Sequence, residues 1–318
     1  MLRLCNIKDG ILNAQYLPKE IRKQLLDEAH WIDAHDPNEL ERTQLQTFLH
    51  TQLPDSDEVD EIEASARYFI DDNGIHIHSL FLAQSEGRLD TVSVAFILQP
   101  ERLISLREGL DLADFRLLRM RARRQQVEVD SPKNLLIEIF GQKIENLADA
   151  IEDVFCLLEQ VSYQILEEDD ANHEHGIDQL AKLEDSNGKI RLCLMDTQRS
   201  VAFLQRHMRL DKDVQLPIHD MMRDMDTLLS HTTFMFEKIN FLMDAALGFI
   251  NIEQNQIIKT FSIAAVVFMP PTLIASIYGM NFEMMPELKW LWGYPGAIVL
   301  MVLSGIAPYW IFKRKGWF

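Results

Sequence analysis

Two long uncharged segments near the C-terminal end constrain the fold of this chain more than any other feature. The first, from about residue 260 to 280, reads TFSIAAVVFMPPTLIASIYGM and holds no ionisable side chain except Tyr278. The second reads WLWGYPGAIVLMVLSGIAPYWIF and ends at Phe312. About 20 apolar residues of helix cross a hydrocarbon core of ~30 Å. The segments therefore predict two membrane helices, in preference to two core helices of a soluble protein.

The residues that flank these segments predict their orientation. Aromatic side chains, typical of the membrane–water interface, stand at both ends of the second segment: Trp290, Trp292, Tyr294, Tyr309, Trp310 and Trp317. Lys259 precedes the first segment and the basic residues 313–315 follow the second, whereas the loop between them carries Glu283, Glu287 and Lys289. The positive-inside rule then places both termini in the cytoplasm. We expect a multi-pass protein of a bacterial inner membrane.

The acidic composition bounds the class of partner. A formal net charge of −18 repels nucleic acids and anionic lipid surfaces, and it favours cations or simple solvation of the surface. Cys5, Cys156 and Cys193 lie far apart and form no CxxC pair, so we expect no disulfide framework, no zinc site and a reducing compartment. Charges interrupt the N-terminal segment early, so we expect no signal peptide.

Residues 1–130 predict an α/β cytosolic domain, so that the whole chain has an α+β cytosolic part followed by membrane helices. Segments 75–82, 92–98 and 103–106 are rich in β-forming residues and are separated by turn signals, which predicts a mostly antiparallel sheet. His76 and His78 would share one face of their strand. They suit either a metal site or a buried structural pair, and we favour the pair.

Residues 131–213 predict an acidic antiparallel helical hairpin. Apolar residues alternate at spacings of three and four: Ile144, Leu147, Ile151, Val154, Leu158, Val161 and Ile165. We expect the chain to turn near residues 172–176 and a second helix to run from about Leu180 to His207. The acidic outer face either attracts divalent cations or is simply solvated, and solvation is favoured. We expect the arginine-rich segment 116–124 to pair with these helices rather than bind nucleic acid.

One long helix is predicted to connect the cytosolic part to the membrane. It starts after Pro217 and meets no strong stop before the double proline at 270, which gives over ~50 residues, or roughly 75 Å at 1.5 Å per residue. A helix of this length requires partners, hence a bundle or an oligomer. The predicted divisions are a stalk and first membrane helix at 214–280, an extracytoplasmic loop at 281–289, a second membrane helix at 290–312 and a basic tail at 313–318.

One face of the first membrane helix carries small and polar residues. These are spaced three and four apart: Asn255, Ile258, Ser262, Ala265, Met269, Thr272 and Ser276. Such a face serves close helix packing or lines a water-filled path shared by several copies, and the pattern alone favours packing. Pro270 cannot donate a hydrogen bond to the Val266 carbonyl. That carbonyl must be satisfied by protein or by water, which is compatible with a water-filled path.

A motif at the outer end of this helix supports a specific resemblance. Residues 278–282 read YGMNF and residues 285–288 read MPEL. Gly-Met-Asn after the first of two C-terminal membrane helices, followed by this loop, resembles the CorA magnesium transporters, and the resemblance covers essentially the whole chain. Segments 60–67, 194–199 and 248–255 look like the enterobacterial-type branch of that family.

The resemblance implies a funnel-shaped homopentamer in membrane lipid, with the first membrane helix lining a pore. Gly279, Met280 and Asn281 would form the selectivity filter, with the Asn281 amides binding hydrated Mg²⁺ at the outer mouth. Glu283 and Glu287 would concentrate cations there. The implied lining residues are Asn255, Ile258, Met269 and Thr272, together with Phe261 or Ser262, and Ala265 and Ser276 continue the same stripe. The implied cargo is Mg²⁺, with Co²⁺ and Ni²⁺ as ions of similar size.

The resemblance also implies regulation by bound Mg²⁺, and other functions stay open. Asp220 is the best match for a regulatory ligand at the subunit boundary, so that internal Mg²⁺ would close the channel. No GxxxxGK[ST] motif is present, so no nucleotide partner is expected. The alternatives are a zinc-transporting relative, against which the intact MPEL segment argues, and a membrane-anchored sensor or scaffold without a pore. The sequence shows no grouping of a nucleophile with a base, so an enzyme is not predicted. No organic cofactor is expected.

Overall fold

The chain forms two compact units in a computed structural model. The units are Met1–Met243 and Asp244–Phe318. The structure describes residues 1–16, 23–49, 53, 67–85, 87–168, 172–208, 212–280 and 285–315.

A seven-stranded mixed sheet forms the base of the first unit. Its strands are β1 (Leu2–Lys8), β2 (Ile11–Tyr16), β3 (Trp31–His35), β4 (Tyr68–Asp71), β5 (Gly74–Ser85), β6 (Arg88–Leu98) and β7 (Leu103–Arg107). Their order across the sheet is β2-β1-β3-β7-β6-β5-β4. Only the β3–β7 pair is parallel among the described strands. The predicted mostly antiparallel sheet is therefore confirmed, and the three predicted segments lie within β5, β6 and β7.

The turn between β4 and β5 follows directly from its sequence. The Asp71 carboxylate accepts hydrogen bonds from the backbone amides of Asn73 (2.8 Å) and Gly74 (3.1 Å), which closes an Asx turn. Gly74 has a φ of +137°, and a Cβ at this position would lie 2.3 Å from the Leu98 carbonyl oxygen. Only glycine fits here, so this residue fixes the register of the hairpin.

Apolar side chains cover both faces of the sheet. On one face, residues from the strands join side chains of two short helices, α1 (Lys23–Asp27) and α2 (Glu39–Leu49), in a buried cluster. On the other face an aromatic group centres on Phe115, whose ring centroid lies 5.5 Å from that of Phe81 and 6.1 Å from that of Trp31. This second face receives the long helices.

Three helices follow the sheet in the first unit. They are α3 (Ala113–Arg123), α4 (Pro132–Glu167) and α5 (His173–His207). Ser131 caps α4, because its hydroxyl accepts from the Asn134 amide at 3.3 Å, and Pro132 occupies the first turn, where no amide donor is needed. All seven residues of the predicted heptad stripe are buried. The predicted helical hairpin is confirmed.

The second helix of the hairpin begins earlier than the sequence predicts. Helix α5 starts at His173, capped by the Asn172 side chain, rather than near Leu180. Gly176 lies within its first turns instead of in a loop. A Cβ at Gly176 would lie 2.9 Å from the Ile165 side chain. The glycine therefore permits close packing of α5 on α4, and it does not end the helix.

The arginines of α3 serve two different partners. Arg121 pairs with Glu138 of α4 at 3.0 Å, as the prediction of pairing with the acidic helices requires. Arg119 does not follow that prediction, since its guanidinium lies 3.1 Å from the Asp33 carboxylate of β3. The physical reason is that Asp33 is fully buried, and a buried carboxylate requires cationic partners.

Asp33 is the centre of a buried charge network. Arg107 binds both of its carboxylate oxygens, Arg119 binds one, and the Ser105 hydroxyl donates at 3.0 Å. Burial alone would raise the pKa of Asp33. The charge and hydrogen bonds of Arg107, with Arg119 and Ser105, outweigh burial and hold the pKa of this carboxyl below its ordinary value. The Trp31 indole also donates to Ser105, so the network ties α3 to β3 and β7.

A second buried network joins α4, α5 and the sheet. The Asp196 carboxylate accepts from Arg67 (2.7 Å), from the Ser79 hydroxyl (2.6 Å) and from the Leu80 amide (2.7 Å). Lys143 of α4 is fully buried and donates to Ser79 at 2.9 Å. Burial lowers the pKa of Lys143, and the Asp196 charge opposes that shift. Each helix of the hairpin is thus fixed to strand β5 by charge as well as by apolar packing.

The last two helices carry the membrane segments. Helix α6 spans Lys212–Tyr278, a short 3₁₀ helix spans Pro286–Lys289, and α7 spans Gly293–Arg314. The Gln215–Tyr278 part of α6 and the whole of α7 are long and apolar enough to cross a membrane, and none of either apolar window is buried in the described structure. This pattern differs from the core helix of a soluble protein, and the two expected membrane helices are found.

Two expectations about prolines in α6 are wrong. The helix begins at Lys212, ahead of Pro217. A proline so near a helix start removes a single hydrogen bond, and its fixed φ is helical. The double proline at 270–271 does not interrupt α6 either, since helical geometry continues to Tyr278. Proline in membrane helices is tolerated where neighbouring groups satisfy the freed carbonyls.

We predict that Asp33→Ala lowers the free energy of unfolding of the first unit by about 3–5 kcal/mol, because it leaves Arg107 buried without a counter-charge. Thermal unfolding of the purified full-length protein, followed by circular dichroism, measures this. Glu101→Ala is the control, since Glu101 is exposed in the β6–β7 turn. Equal melting temperatures of the two variants would contradict the role given to the network.

Candidate ion-conduction path

Helix α7 partly covers one face of the membrane segment of α6. The half-buried residues of this segment lie on one stripe: Ile263, Val267, Pro270, Pro271, Ile274 and Tyr278. The half-buried residues of α7 form a matching stripe that includes Met301, Ser304 and Gly305. A Cβ on Gly305 would lie 3.3 Å from Pro271 Cγ. The two helices therefore pack through these stripes.

The small and polar stripe of α6 lies on the uncovered side. All of its predicted lining residues are exposed: Asn255, Ile258, Phe261, Ser262, Ala265, Met269, Thr272 and Ser276. At about 100° per residue, the centre of this stripe lies roughly 160° around the helix from the face that contacts α7. The stripe therefore does not pack against α7 of the same chain, and close packing against another copy and the lining of a water-filled path both stay open. The lining role itself stays a prediction.

Position 262 continues this stripe more closely than position 261. Ser262 keeps the spacing of three and four between Ile258 and Ala265, whereas Phe261 lies at the edge of the stripe. Both side chains are exposed in the single chain, Phe261 to 72%. The choice between them depends on how copies of α6 associate.

The hydroxyl group of Thr272 is hydrogen-bonded within its own helix. Its Oγ1 donates to the Phe268 carbonyl oxygen at 2.7 Å within the helix. A hydroxyl whose proton is used in this way keeps its oxygen lone pairs as acceptors. Water molecules bound to a cation direct their hydrogens outward, so an acceptor suits a hydrated cation. The Thr272 oxygen can thus accept hydrogen bonds from the water shell of an ion.

The outer end of α6 closes through backbone hydrogen bonds. The Gly279 amide donates to Ala275 at 2.9 Å and the Met280 amide to Ile277 at 3.3 Å. A Cβ on Gly279 would lie 3.2 Å from the Ala275 carbonyl oxygen, so glycine permits this tight ending. Asn281 and Glu283 lie outside the described residues. Glu287 lies in the 3₁₀ helix, and the structure does not describe its side chain.

The predicted regulatory residue lies on the cytosolic part of α6. Asp220 is exposed, and Ile218 close by is buried. Within the described ranges, no three His, Cys, Asp or Glu side chains come together in a way that could hold a metal ion. Asp220 therefore belongs to no such group within those ranges, and its regulatory role stays a prediction.

The histidine pair on β5 has the structural role that the sequence favours. His76 and His78 are both buried. The His76 ring contacts the Asp71 carboxylate at 3.0 Å and stacks on Phe69 at 4.3 Å between ring centroids. Burial lowers the pKa of His78 to about 4, so this imidazole is neutral at cytoplasmic pH. Neither histidine belongs to a group of three or more potential metal ligands within the part of the chain described.

Sequence reasoning missed the two buried charge networks. Asp33 and Asp196 stand in stretches whose local pattern predicts only a strand and a helix. Their partners are remote, since Arg107 follows Asp33 by 74 residues and Arg67 precedes Asp196 by 129. A charged residue inside an otherwise apolar strand, such as Asp33, was the one available signal.

The fold and the uncovered stripe define a class of protein. An α+β unit precedes a helix that continues into an apolar segment, a second apolar helix packs on one side of it, and a polar stripe remains on the other side. This arrangement is that of a membrane protein in which the second membrane helix of the chain leaves a polar face of the first one uncovered.

Comparison with known proteins identifies the family. The model described as "CorA-like Mg2+ transporter protein" matches residues 27–314. The magnesium transport protein CorA of Escherichia coli K12 is 50% identical over 296 residues, covering 92% of this chain and 93% of that protein. The protein of the same name from Salmonella typhimurium LT2 is 49% identical over the same shares. This chain belongs to the CorA-like Mg²⁺ transporter family.

A solved structure extends the comparison to the fold. The complete structure of the CorA magnesium transporter from Methanocaldococcus jannaschii matches with a TM-score of 0.79 at 20% identity, covering 100% of this chain and 99% of that one. At this identity the likeness concerns the fold alone. It confirms the expected order of an α+β part, a long helix and a C-terminal helix.

We predict that Thr272→Cys and Met269→Cys react with a water-soluble, membrane-impermeant thiol reagent, whereas Ile263→Cys on the face toward α7 does not. The reason is that only the uncovered stripe would meet water. The reconstituted protein should carry Cys156→Ser, because Cys5 and Cys193 are buried and Cys156 is exposed. Mass spectrometry measures the modified fraction. Equal labelling at all three positions would contradict a water-filled path.

Proposed function

We propose that this protein conducts Mg²⁺ into the cytoplasm through a path lined by α6. The observation that carries the proposal is the uncovered polar stripe of α6. The chain that bears this stripe is 50% identical, over 92% of its length, to a magnesium transport protein. Co²⁺ and Ni²⁺ are included in the proposal because their ions are of similar size. No covalent step is involved, so the protein acts as a transporter and not as an enzyme.

The proposed filter holds Mg²⁺ through its water. Mg²⁺ gives up its water reluctantly, and a ring of carboxylates would bind it too tightly to release it. Neutral amide oxygens of Asn281, one from each copy, hold the hydrated ion strongly enough to select it and weakly enough to pass it on. Gly279 and Met280 place this ring at the end of α6. Glu283 and Glu287 raise the local concentration of cations outside it.

The membrane potential supplies the energy for influx. One elementary charge gains about 2.3 kcal/mol per 100 mV, so a divalent ion gains ~4.6 kcal/mol. Along the path, Thr272 offers hydroxyl oxygens and Asn255 offers amide oxygens to the water shell of the ion. Ile258 and Met269 supply apolar constrictions. Ser262, Ala265 and Ser276 are small, which leaves room for water between copies of α6; Phe261 is the alternative to Ser262.

A homopentamer completes the path. A single stripe encloses no water, so several copies of α6 must face one another, and five is the number that the family resemblance implies. We assign residues 1–130 and 131–213 to the cytosolic side of the inner membrane, 281–289 to the outside, and 313–318 to the cytoplasm. Lipid surrounds the outward faces of α7.

Internal Mg²⁺ is proposed to close the channel. Each copy carries a formal net charge of −18, so neighbouring cytosolic units repel one another unless cations lie between them. Asp220, which is exposed on α6, would bind Mg²⁺ at the subunit boundary. Loss of that ion would release the boundary and open the path.

We predict that Asn281→Ala abolishes Mg²⁺ uptake into liposomes that hold a negative internal potential, because the amide ring is lost while the helices remain. A fluorescent Mg²⁺ indicator inside the liposomes measures initial rates. Gln256→Ala is the control, since it removes an exposed amide of α6 outside the stripe and should keep the wild-type rate. Size-exclusion chromatography confirms that both variants assemble.

The same liposomes test the competing functions. Zn²⁺ uptake faster than Mg²⁺ uptake in the wild-type protein would favour a zinc transporter. No uptake of any divalent ion by an assembled wild-type protein would favour a sensor or scaffold. Either result would overturn the proposal.

We predict that Asp220→Ala raises the internal Mg²⁺ concentration for half-closure about tenfold, as the loss of ~1.4 kcal/mol of binding free energy requires. Patch-clamp recording of reconstituted channels with titrated internal Mg²⁺ measures it. Asp224→Ala, exposed one turn further along the same helix, should behave as the wild type. An unchanged midpoint for Asp220→Ala would exclude this residue as the regulatory ligand.

A further inference from the structure

The double proline of α6 leaves two carbonyl oxygens without their usual helical donors. Pro270 and Pro271 have no amide hydrogen, so the carbonyls of Val266 and Val267 lose the hydrogen bonds that a continuous helix would give them. Helix α6 nevertheless continues to Tyr278. The proline rings also occupy space beside the helix. Whatever packs at this level of the membrane must therefore fit both the rings and the bare carbonyls.

Gly305 of α7 lies at this level. A Cβ built on Gly305 would lie 3.3 Å from Pro271 Cγ and 3.6 Å from the Val267 carbonyl oxygen. The first distance is tighter than ordinary side-chain contacts, so a methyl group here would shift the proline ring by a few tenths of an ångström. Small residues let membrane helices approach closely. The Pro271 ring thus lies directly against the position that a side chain at 305 would take.

Another glycine of α7 lacks this relationship. A Cβ on Gly296 would meet no atom within 4 Å, although both glycines belong to the same apolar helix. Flexibility of α7 does not explain Gly305 either, because its φ lies outside the left-handed region that favours glycine. The close contact with Pro271 is thus specific to position 305.

We infer that Gly305 is a positioning residue for ion conduction: it receives the Pro271 ring, and this contact sets how far α6 stands from α7 at the level of Met269 and Thr272. The inference rests on the proposed path along α6. Met269 and Thr272 flank the double proline on the side away from α7. Any side chain at 305 that pushes Pro271 away from α7 pushes these two residues toward the path.

The groove beside Gly305 indicates that α7 does not fill this region by itself. It is apolar, has a volume of about 420 Å³, and is lined by Val267, Phe268, Pro271, Met301, Gly305 and Tyr309 among others. Because the groove is open, few other contacts hold α6 and α7 together here. The Pro271–Gly305 contact therefore carries much of the positioning.

The test compares valine substitutions at the two glycines of α7. Gly305→Val should lower the initial rate of Mg²⁺ uptake per assembled oligomer about tenfold, within the range expected for overpacking at a tight contact. Gly305→Ala should lower it less. Gly296→Val, the matched control, should transport at the wild-type rate.

A second substitution that rescues Gly305→Val distinguishes a positioning role of Gly305 from a general loss of structure. Pro271→Ala removes the ring atoms that a side chain at 305 would strike, and it also restores the amide donor to Val267. The double variant Gly305→Val with Pro271→Ala should therefore recover most of the lost rate. A variant that is slow only because α7 folds poorly would gain nothing from the second substitution.

Each outcome decides the inference. A wild-type rate of Mg²⁺ uptake for Gly305→Val would overturn it. So would a double variant, Gly305→Val with Pro271→Ala, that is as slow as Gly305→Val alone. Should Gly305→Val fail to assemble, Gly305→Ala against Gly296→Ala gives the same comparison, and equal rates would again overturn it. Absence of Mg²⁺ uptake by the wild type would instead refute the proposed function, so the two failures are distinguishable.

Discussion

Hydrocarbon cannot form hydrogen bonds, and this constraint governs the membrane half of the protein. Every polar group at that depth must be satisfied by protein or by water. Helix α7 covers the face of α6 that runs through Ile263 and Val267, and that face is apolar apart from its bare carbonyls. The stripe with Ser262, Thr272 and Ser276 remains uncovered. Helix α7 of the same chain thus leaves this polar stripe uncovered, and the proposed path, in which copies of α6 surround water, would supply its partners.

The membrane segment of α6 has two kinds of polar group, threonine hydroxyls and the carbonyls freed by the double proline. Thr272 and Thr260 satisfy their hydroxyl hydrogens within the helix, on carbonyls four residues back. The Thr272 hydroxyl, which lies on the uncovered stripe, thus keeps its oxygen as an acceptor for the water shell of a cation. Of the two carbonyls freed by Pro270 and Pro271, that of Val267 lies toward α7, 3.6 Å from a Cβ built on Gly305. The Thr272 hydroxyl is thus exposed on one side of α6, and the Val267 carbonyl lies close to α7 on the other.

Local patterns explain how much of this arrangement the sequence predicts. The heptad from Ile144 to Ile165 repeats at the period of a helix, the segments within residues 75–106 are rich in β-forming residues between turn signals, and the two membrane segments are long uncharged runs. They were therefore predictable from sequence and are confirmed. The start of α5 at His173 was not, because Gly176 looks like a turn residue until its contact with Ile165 is known. The motif at 279–281 came from family resemblance and not from physics, and Asn281 lies outside the described residues.

Long-range charge pairs were beyond prediction, and they explain where the acidic charge of the protein lies. The described part of the chain buries four basic residues, Arg67, Arg107, Arg119 and Lys143, against three acidic ones, Asp33, Asp114 and Asp196. The interior is therefore close to neutral, and the formal net charge of −18 is carried by the surface. Surface carboxylates cost little while water screens them. Once several copies meet, the same charges repel across each boundary, and divalent cations become the natural counter-ions. The buried pairs fix the shape of each unit, so in the proposed oligomer the repulsion would act between subunits rather than within them. The proposed regulation by internal Mg²⁺ requires this, because the ion would then change how subunits associate without unfolding any of them.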